Sequence, residues 1–215
     1  MIDETISKDE LTREDLIKIL AISDKEELEK LRIRAYQVMQ ENVGELVYVR
    51  GLIEFSNYCV NDCYYCGIRK SNSKVKRYTL QKEEIIESAL WAAQSGYGSI
   101  VLQSGERRDE NFVNFVVDLI YEIKEKTKSE KLPDGVGITV CIGELSYNQY
   151  QQIFKAGGHR YLLRIETTNP ELFRKIHPEN QRIETRMECL EMLNDIGFHM
   201  GTGVMIGLPG QTYED

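Results

Sequence analysis

The chain has 215 residues, 41% of them hydrophobic, which is enough for one globular domain with a sizeable core. Its formal net charge of −8 disfavours binding to nucleic acid, because an acidic protein and a phosphate backbone repel each other. No stretch approaches the roughly 20 apolar residues of a membrane helix, and the acidic N-terminus lacks the apolar run of a signal peptide, so we predict a cytoplasmic protein with no membrane partner.

The first part of the chain contains two helical patterns. Apolar residues recur at helical spacing over 11–21 and again over 26–40, and Gly44 follows the second pattern as a helix-ending residue. We therefore predict an N-terminal helical segment, 1–45, ahead of a larger core, 46–215.

From residue 46 onward, predicted strands and helices alternate. Apolar and β-branched runs predict strands at 46–55, 99–105, 136–143, 160–166 and 199–210. Amphipathic patterns predict helices at 79–95, 111–126, 146–158 and 182–197, the first of them with Thr79 as N-cap and Gly96 at its end. This alternation predicts a parallel sheet with right-handed crossovers, arranged either as a doubly wound sheet or as a (β/α) barrel.

Polar residues collect where the predicted strands end. A cysteine-rich segment follows the first strand, "QSGE" ends the second, Glu144 the third and Glu166 the fourth, and "GLPGQT" follows the fifth. Both architectures bind ligands at the carboxyl ends of their strands, so we expect one site there. The final "GLPGQTYED" is typical of another βα connection, and a closed barrel takes about 250 residues. We therefore expect about five βα units of an incomplete barrel.

The cysteine-rich segment, "NYCVNDCYYCGIRK", holds Cys59, Cys63 and Cys66 within eight residues. Buried inert thiols and a disulfide with one spare thiol are two interpretations, which the polar neighbours and the reducing compartment disfavour. Structural zinc needs four Cys or His ligands, but the next histidine is His159, and Cys141 could serve only if its strand brought it close. Three thiolates suit a cubane iron–sulfur cluster with one iron left for a small chelating ligand.

The Cys-x3-Cys-x2-Cys spacing, with Tyr65 before the last cysteine and a strand before the first, resembles the radical S-adenosylmethionine superfamily. The resemblance implies a full or partial TIM-like (β/α) barrel and a [4Fe–4S] cluster held by Cys59, Cys63 and Cys66. It also implies that S-adenosylmethionine chelates the remaining iron. An external electron donor would reduce the cluster, whose electron cleaves the sulfonium to a 5′-deoxyadenosyl radical.

Further segments, "IVLQSGE", "RYLLRIET" and "GLPGQT", resemble the HydE-type maturases of [FeFe]-hydrogenase, which are relatives of biotin synthase and methylornithine synthase. This resemblance implies assembly of the two-iron part of the hydrogenase H-cluster. The substrate would be a small molecule or an iron complex, and the partners would be companion maturases that include a scaffold GTPase. A radical amino-acid mutase of the methylornithine synthase type, a biotin synthase-like enzyme and a non-enzymatic zinc or iron–sulfur module remain alternatives.

The same resemblance assigns the contacts to S-adenosylmethionine and leaves no catalytic side chain, because the cluster and the cofactor carry the chemistry. The backbone at Tyr65 would lie near the adenine, and the turn at Ser104 and Gly105 near the methionine amino group. Glu166 would contact the cofactor. Arg186 would pair with its carboxylate, as the guanidinium fork suits.

Several of these residues have plain structural interpretations. Glu166 could form an ion pair with Arg164 two positions earlier on the strand, and Arg186 could be a surface arginine. Trp91 is predicted to lie in the core, as are the thiols of Cys141 and Cys189. A basic cluster follows the cysteine motif and predicts a solvated loop or an anion site; it comprises Arg69, Lys70, Lys74, Lys76 and Arg77.

Overall fold

The computed structural model describes residues 2–215, and Met1 lies outside the described residues. The chain divides into two compact units. The first takes in the described residues as far as Tyr48 together with Pro209–Asp215, and the second is Val49–Leu208. The boundary between a segment 1–45 and a core 46–215 stays a prediction.

Three helices form most of the first unit: α1 (Ile2–Ile6), α2 (Arg13–Leu20) and α3 (Lys25–Val43). The two predicted helices are thus present, and α1 is an addition. Side chains start both longer helices: Thr12 forms a capping box with Asp15, and Asp24 accepts from the first free amides of α3. Gly44, with φ at 73°, ends α3 in a conformation that glycine adopts without strain.

The second unit is built on five parallel strands. They are β1 (Gly51–Ser56), β2 (Ser99–Ser104), β3 (Gly137–Cys141), β4 (Arg160–Leu162) and β5 (His199–Gly201). Their order in the sheet is β1-β2-β3-β4-β5, so each strand pairs with the one before it in the chain. A doubly wound sheet reverses its order at a switch point. The sequential order therefore confirms the alternative, an incomplete (β/α) barrel.

Helices connect the strands. They are α4 (Lys82–Gln94), α5 (Glu110–Lys126), α6 (Tyr147–Lys155), α7 (Pro170–Ile176) and α8 (Ile183–Ile196). The apolar stripe of α5 is fully enclosed in one core cluster with the inward-facing residues of β1 to β4. Burial of such side chains contributes roughly 1.5–3 kcal/mol each before conformational entropy is subtracted.

Helix α7 was not among the predicted elements. It begins at a capping signal that the sequence contains: Asn169 accepts hydrogen bonds from the amides of Glu171 and Leu172, and Pro170 occupies the first helical position. The helix matters because its C-terminal end reaches the segment that carries the cysteines.

The predicted strand 46–55 is wrong in its first half. Leu46, Val47, Tyr48 and Val49 are exposed, and pairing starts only at Gly51, opposite Ile100. The partner strand sets this limit: β2 begins at Ser99, directly after a glycine turn, so earlier residues have no ladder to join. Hydrophobic character alone does not define a strand without a partner.

Three further expectations differ from the structure. Thr79 is not the N-cap of α4; its hydroxyl contacts that of Ser56 at 2.8 Å, and Gln81 precedes the helix instead. Trp91 is 64% exposed rather than in the core. Strands β4 and β5 are each only three residues long, shorter than the predicted 160–166 and 199–210. Across residues 2–215, no helix is both long and apolar enough to span a membrane.

Candidate functional site

Residues 57–78, the larger part of the connection from β1 to α4, have almost no regular structure of their own, and we call them the cysteine loop. Cys59, Cys63 and Cys66 lie on it as half-buried free thiols, and Cys141 and Cys189 elsewhere in the chain are also free. A loop without helix or strand must satisfy its backbone polar groups through other partners. Those partners define where the thiols lie.

Arg77 is one such partner. Its guanidinium donates to the carbonyl oxygens of Asn57 at 2.6 Å, Ile68 at 2.8 Å and Arg69 at 2.6 Å, with a longer contact to Asn72 at 3.3 Å. The two ends of the loop and its middle are thereby tied to one side chain. Within the predicted basic cluster, this arginine is therefore committed to the backbone of the loop itself.

The turn after β2 supports the start of the loop. A Cβ atom added to Gly105 would clash with the carbonyl of Tyr58 and would lie 2.9 Å from the Cβ of Cys59. Beside it, the amide of Val60 donates to the carbonyl of Glu106 at 2.9 Å. Only glycine permits this close approach, so the predicted Ser104–Gly105 turn positions the first cysteine.

The end of α7 supports the middle of the loop. The amide of Tyr64 donates to the carbonyl of Ile176 at 2.9 Å. The Tyr65 hydroxyl lies 3.2 Å from Nε2 of the buried His177, whose Nδ1 lies 3.0 Å from the carbonyl of Phe173. A carbonyl can only accept, so Nδ1 carries the proton and Nε2 accepts from Tyr65. Burial lowers the pKa of His177, which favours this neutral form.

The thiols of Cys59 and Cys63 are held in the protonated form in this environment. Burial raises the pKa of the Cys59 thiol and raises that of Cys63 to about 11. Across residues 2–215, no three side chains of Cys, His, Asp or Glu already stand in a metal-ligating arrangement. The fit to a metal centre therefore rests on the donor set, three thiols within eight residues, whose protons a bound metal would replace.

Two carboxylates and two guanidinium groups form an alternating network next to the loop. Nε of Arg186 lies 2.7 Å from Glu144, and its Nη2 lies 3.8 Å from Glu106. Arg108 reaches the same two carboxylates, at 2.7 Å from Glu144 and 3.0 Å from Glu106. Arg186 is 8% exposed, so its interpretation as a surface arginine is wrong.

Electrostatics maintain the charge of this network. Burial opposes the charge on Arg186, but the carboxylates of Glu144 and Glu106 raise its pKa above the ordinary value. Burial raises the pKa of Glu144. The Nε of Arg186 is committed to Glu144 by their 2.7 Å contact, whereas its Nη1 makes only a 3.4 Å contact with the carbonyl of Arg164 and its Nη2 lies 3.8 Å from Glu106. The guanidinium therefore keeps donor capacity for a further anion.

Glu166 has an unusual backbone. Its φ of 66° is positive, the one such case outside glycine among the described residues. Backbone hydrogen bonds hold it there: its amide donates to Gly203 at 3.0 Å, and its carbonyl accepts from Met205 at 2.8 Å. Burial raises the pKa of its carboxyl group, and the charge of Arg164 lowers it. Strained backbone of this kind is frequent at functional sites.

The predicted positions lie close together. Burial raises the pKa of Cys63, Tyr65 and Glu166, and the positive charge of Arg186 lowers the pKa of all three, so these three groups lie near one guanidinium. The site also contains Arg77, Arg108 and His177, which are not among the predicted site residues. Arg77 belongs to a basic run, and no local pattern in the sequence marks the other two.

Comparison with known proteins identifies relatives of this arrangement. The family model described as the Radical SAM superfamily matches residues 53–215. Over 213 residues the chain is 42% identical to the [FeFe] hydrogenase maturase subunit HydE of Thermotoga maritima, covering 99% of this chain and 58% of that protein.

Two solved structures have the same fold. Methylornithine synthase (PylB) superposes with a TM-score of 0.85 at 27% identity, over 98% of this chain and 60% of the other. HydG, a maturase of the [FeFe]-hydrogenase, superposes with a TM-score of 0.85 at 25% identity, over 99% and 47%. The chain thus spans less than two thirds of each of these relatives.

The close approach at Gly105 can be tested by Gly105→Ala. The added methyl group must displace the Tyr58 carbonyl, and overpacking of this kind costs about 2 kcal/mol. We expect the free energy of unfolding in urea to fall by that amount and the Cys59 thiol to react faster with an alkylating reagent.

Gly67→Ala is the matched control, because a Cβ there meets no atom within 4 Å and the residue lies in the same loop. Its effect should stay within about 0.5 kcal/mol. Equal effects of the two substitutions would contradict the role assigned to Gly105.

Proposed function

Because the chain belongs to the radical S-adenosylmethionine superfamily, we propose that it binds a [4Fe–4S] cluster and S-adenosylmethionine at the carboxyl ends of its strands. Membership in this superfamily implies the use of both cofactors. Cys59, Cys63 and Cys66 would ligate three irons of the cluster. The main support is the set of three free thiols on one loop, attached to the turn after β2 and to the end of α7. When bound, the cluster supplies the electron that cleaves S-adenosylmethionine to methionine and a 5′-deoxyadenosyl radical.

The charged residues beside the loop suit the two polar ends of the methionine moiety. Arg186 would donate to its carboxylate, because the guanidinium is held charged by Glu144 and Glu106 and retains free donor capacity. Glu166, the only carboxylate held on strained backbone among the described residues, would accept from the cofactor. An uncharged group at this position would bind the carboxylate weakly. The role of Glu144 and Glu106 is therefore to keep Arg186 positively charged.

Backbone groups would complete the binding site. The backbone of the Ser104–Gly105 turn would contact the methionine amino group. The backbone is the better candidate because the Ser104 hydroxyl already donates a hydrogen bond to the carbonyl of Gly105 at 2.7 Å. The backbone at Tyr65 would lie near the adenine, while its hydroxyl is engaged by His177. The chain's own residues would thus bind and orient S-adenosylmethionine and exclude water, and the reducing electron would come from an external donor.

We propose hydrogenase maturation as the reaction for which the radical is made. Identity is 42% with the maturase HydE and 27% with methylornithine synthase. The substrate would be an iron complex or small molecule on the way to the two-iron part of the H-cluster, with companion maturases and a scaffold GTPase as partners. An amino-acid mutase remains the second candidate, because methylornithine synthase superposes as well as HydG does. A cytoplasmic location stays a prediction.

The cofactor proposal is tested by anaerobic reconstitution. The protein should take up about four iron atoms per chain and, once reduced, convert S-adenosylmethionine to 5′-deoxyadenosine. Cys63→Ala should abolish turnover, because the cluster would lose one of its three ligands. Iron content and nucleoside formation are the measurements.

Cys141→Ala serves as the control and should keep its iron, since this thiol lies on β3 and outside the motif. Loss of metal in Cys141→Ala would indicate a four-thiolate structural site. Zinc uptake without nucleoside formation would contradict the enzyme and favour the metal-binding module.

The role of Arg186 is tested by Arg186→Lys, which keeps the charge opposite Glu144 and removes the bidentate fork. We expect the dissociation constant of S-adenosylmethionine to rise about tenfold, measured by calorimetry on reconstituted protein, with iron content unchanged. Arg182→Lys, at the exposed start of the same helix, is the control and should bind normally. Unchanged affinity in Arg186→Lys would refute the assignment.

The choice between reactions is tested with substrates. Added to a cell-free mixture of hydrogenase apoprotein and companion maturases that lacks this component, the protein should restore hydrogen evolution. Cys63→Ala should not. Formation of methylornithine from an added amino acid, with no effect on the hydrogenase, would establish the mutase instead.

A further inference from the structure

Gln181 is a buried amide that contacts one of the three thiols. Its residue is 8% exposed, and its Oε1 accepts a hydrogen bond from Sγ of Cys63 at 3.2 Å. Its Nε2 is also buried, yet has no hydrogen-bond partner among the described residues. A buried donor without a partner costs about 1–3 kcal/mol, so this arrangement calls for a reason.

The position of Gln181 relative to Cys63 is held by the backbone. Its amide donates to the carbonyl of Pro178 at 2.9 Å, within the turn that joins α7 to α8. The start of that turn is bonded to the cysteine loop through Tyr64 and Ile176. We therefore expect the separation of Gln181 and Cys63 to stay the same when the thiol loses its proton.

Metal ligation reverses the hydrogen-bonding character of Cys63. A thiol donates to Oε1, but a thiolate carries no proton and can only accept. The amide group of glutamine turns with little cost, because its terminal torsion is broad and roughly two-fold. A half turn brings Nε2–H toward the sulfur and moves Oε1 to the place that Nε2 leaves. The donor then has a partner beside the thiolate, and a carbonyl oxygen without a partner is tolerated better than an N–H without one.

We propose that Gln181 is a positioning residue that donates an N–H hydrogen bond to the Cys63 thiolate and thereby raises the reduction potential of the cluster. This inference rests on the proposed function. Reduction adds negative charge that spreads onto the cluster sulfurs, so a donor at one sulfur stabilises the reduced form more than the oxidised form. Among the three cysteines of the motif, Cys63 is the one whose sulfur forms a hydrogen bond with another side chain in the described part of the chain.

The test is Gln181→Met, which keeps the length of the side chain and removes the N–H. Reconstituted protein is titrated with a reductant, and the reduced cluster is followed by electron paramagnetic resonance. At a fixed ambient potential, we expect the ratio of reduced to oxidised cluster to fall about tenfold, equivalent to about 59 mV for one electron. Iron content should stay the same.

Gln152→Met is the matched control, because this glutamine lies on the exposed face of α6. Its potential should equal that of the wild type. If Gln181→Met does not load iron, Gln181→Asn is titrated instead; its shorter amide weakens the bond, and its potential should shift in the same negative direction.

Each remaining outcome is decisive. An unchanged reduction potential in an iron-loaded Gln181 variant would overturn the inference. The same holds if the melting temperature of that variant falls, because a loss of stability without a change in potential indicates a packing role only. Wild-type protein that takes up no iron would overturn the proposed function. Wild-type protein that loads and cleaves S-adenosylmethionine while the Gln181 variants keep its potential would overturn this inference alone.

Discussion

The hydrogen bonds from Arg77 to the carbonyls of the cysteine loop are the constraint on which the rest of the site depends. A loop of this length has no ladder to satisfy its own backbone, and a single planar guanidinium with five donors can reach carbonyls from several directions at once. The guanidinium of Arg77 thus donates the hydrogen bonds that the carbonyl groups of the loop would otherwise accept within a helix or a sheet. The thiols can lie on irregular backbone because the hydrogen bonds from Arg77 fix the conformation of that backbone.

Two rigid elements then connect the loop to the fold. The turn after β2 meets it where only glycine fits, and the end of α7 meets it through Tyr64 and Tyr65. Beside these contacts, Glu106, Glu144, Arg108 and Arg186 balance one another's charge, so that a guanidinium can remain ionised while almost fully enclosed. The site is therefore an arrangement of loop ends supported by strands and helix termini, which is how parallel α/β proteins usually build their ligand sites.

The sequence was informative where a signal is local. Alternation of apolar runs predicted the parallel sheet, and the cysteine spacing marked the loop, because both depend on neighbours in the chain. The first strand is shorter than predicted because its length depends on β2, which starts at Ser99. Helix α7 has a local signal at Asn169 and Pro170, but its 7 residues are too few to show a helical period. The contact of Cys63 with Gln181 joins residues 118 positions apart, and no pattern in the sequence indicates it.

The positive φ of Glu166 has a consequence for how the chain can change. Glycine would occupy the same backbone with less strain, by about 1 kcal/mol, and would bring no carboxylate. Under the cofactor-binding role proposed for Glu166, selection for a more durable fold and selection for binding act in opposite directions at this one position. A stabilising replacement here would be easy to find and would remove the acidic group from the mouth of the barrel.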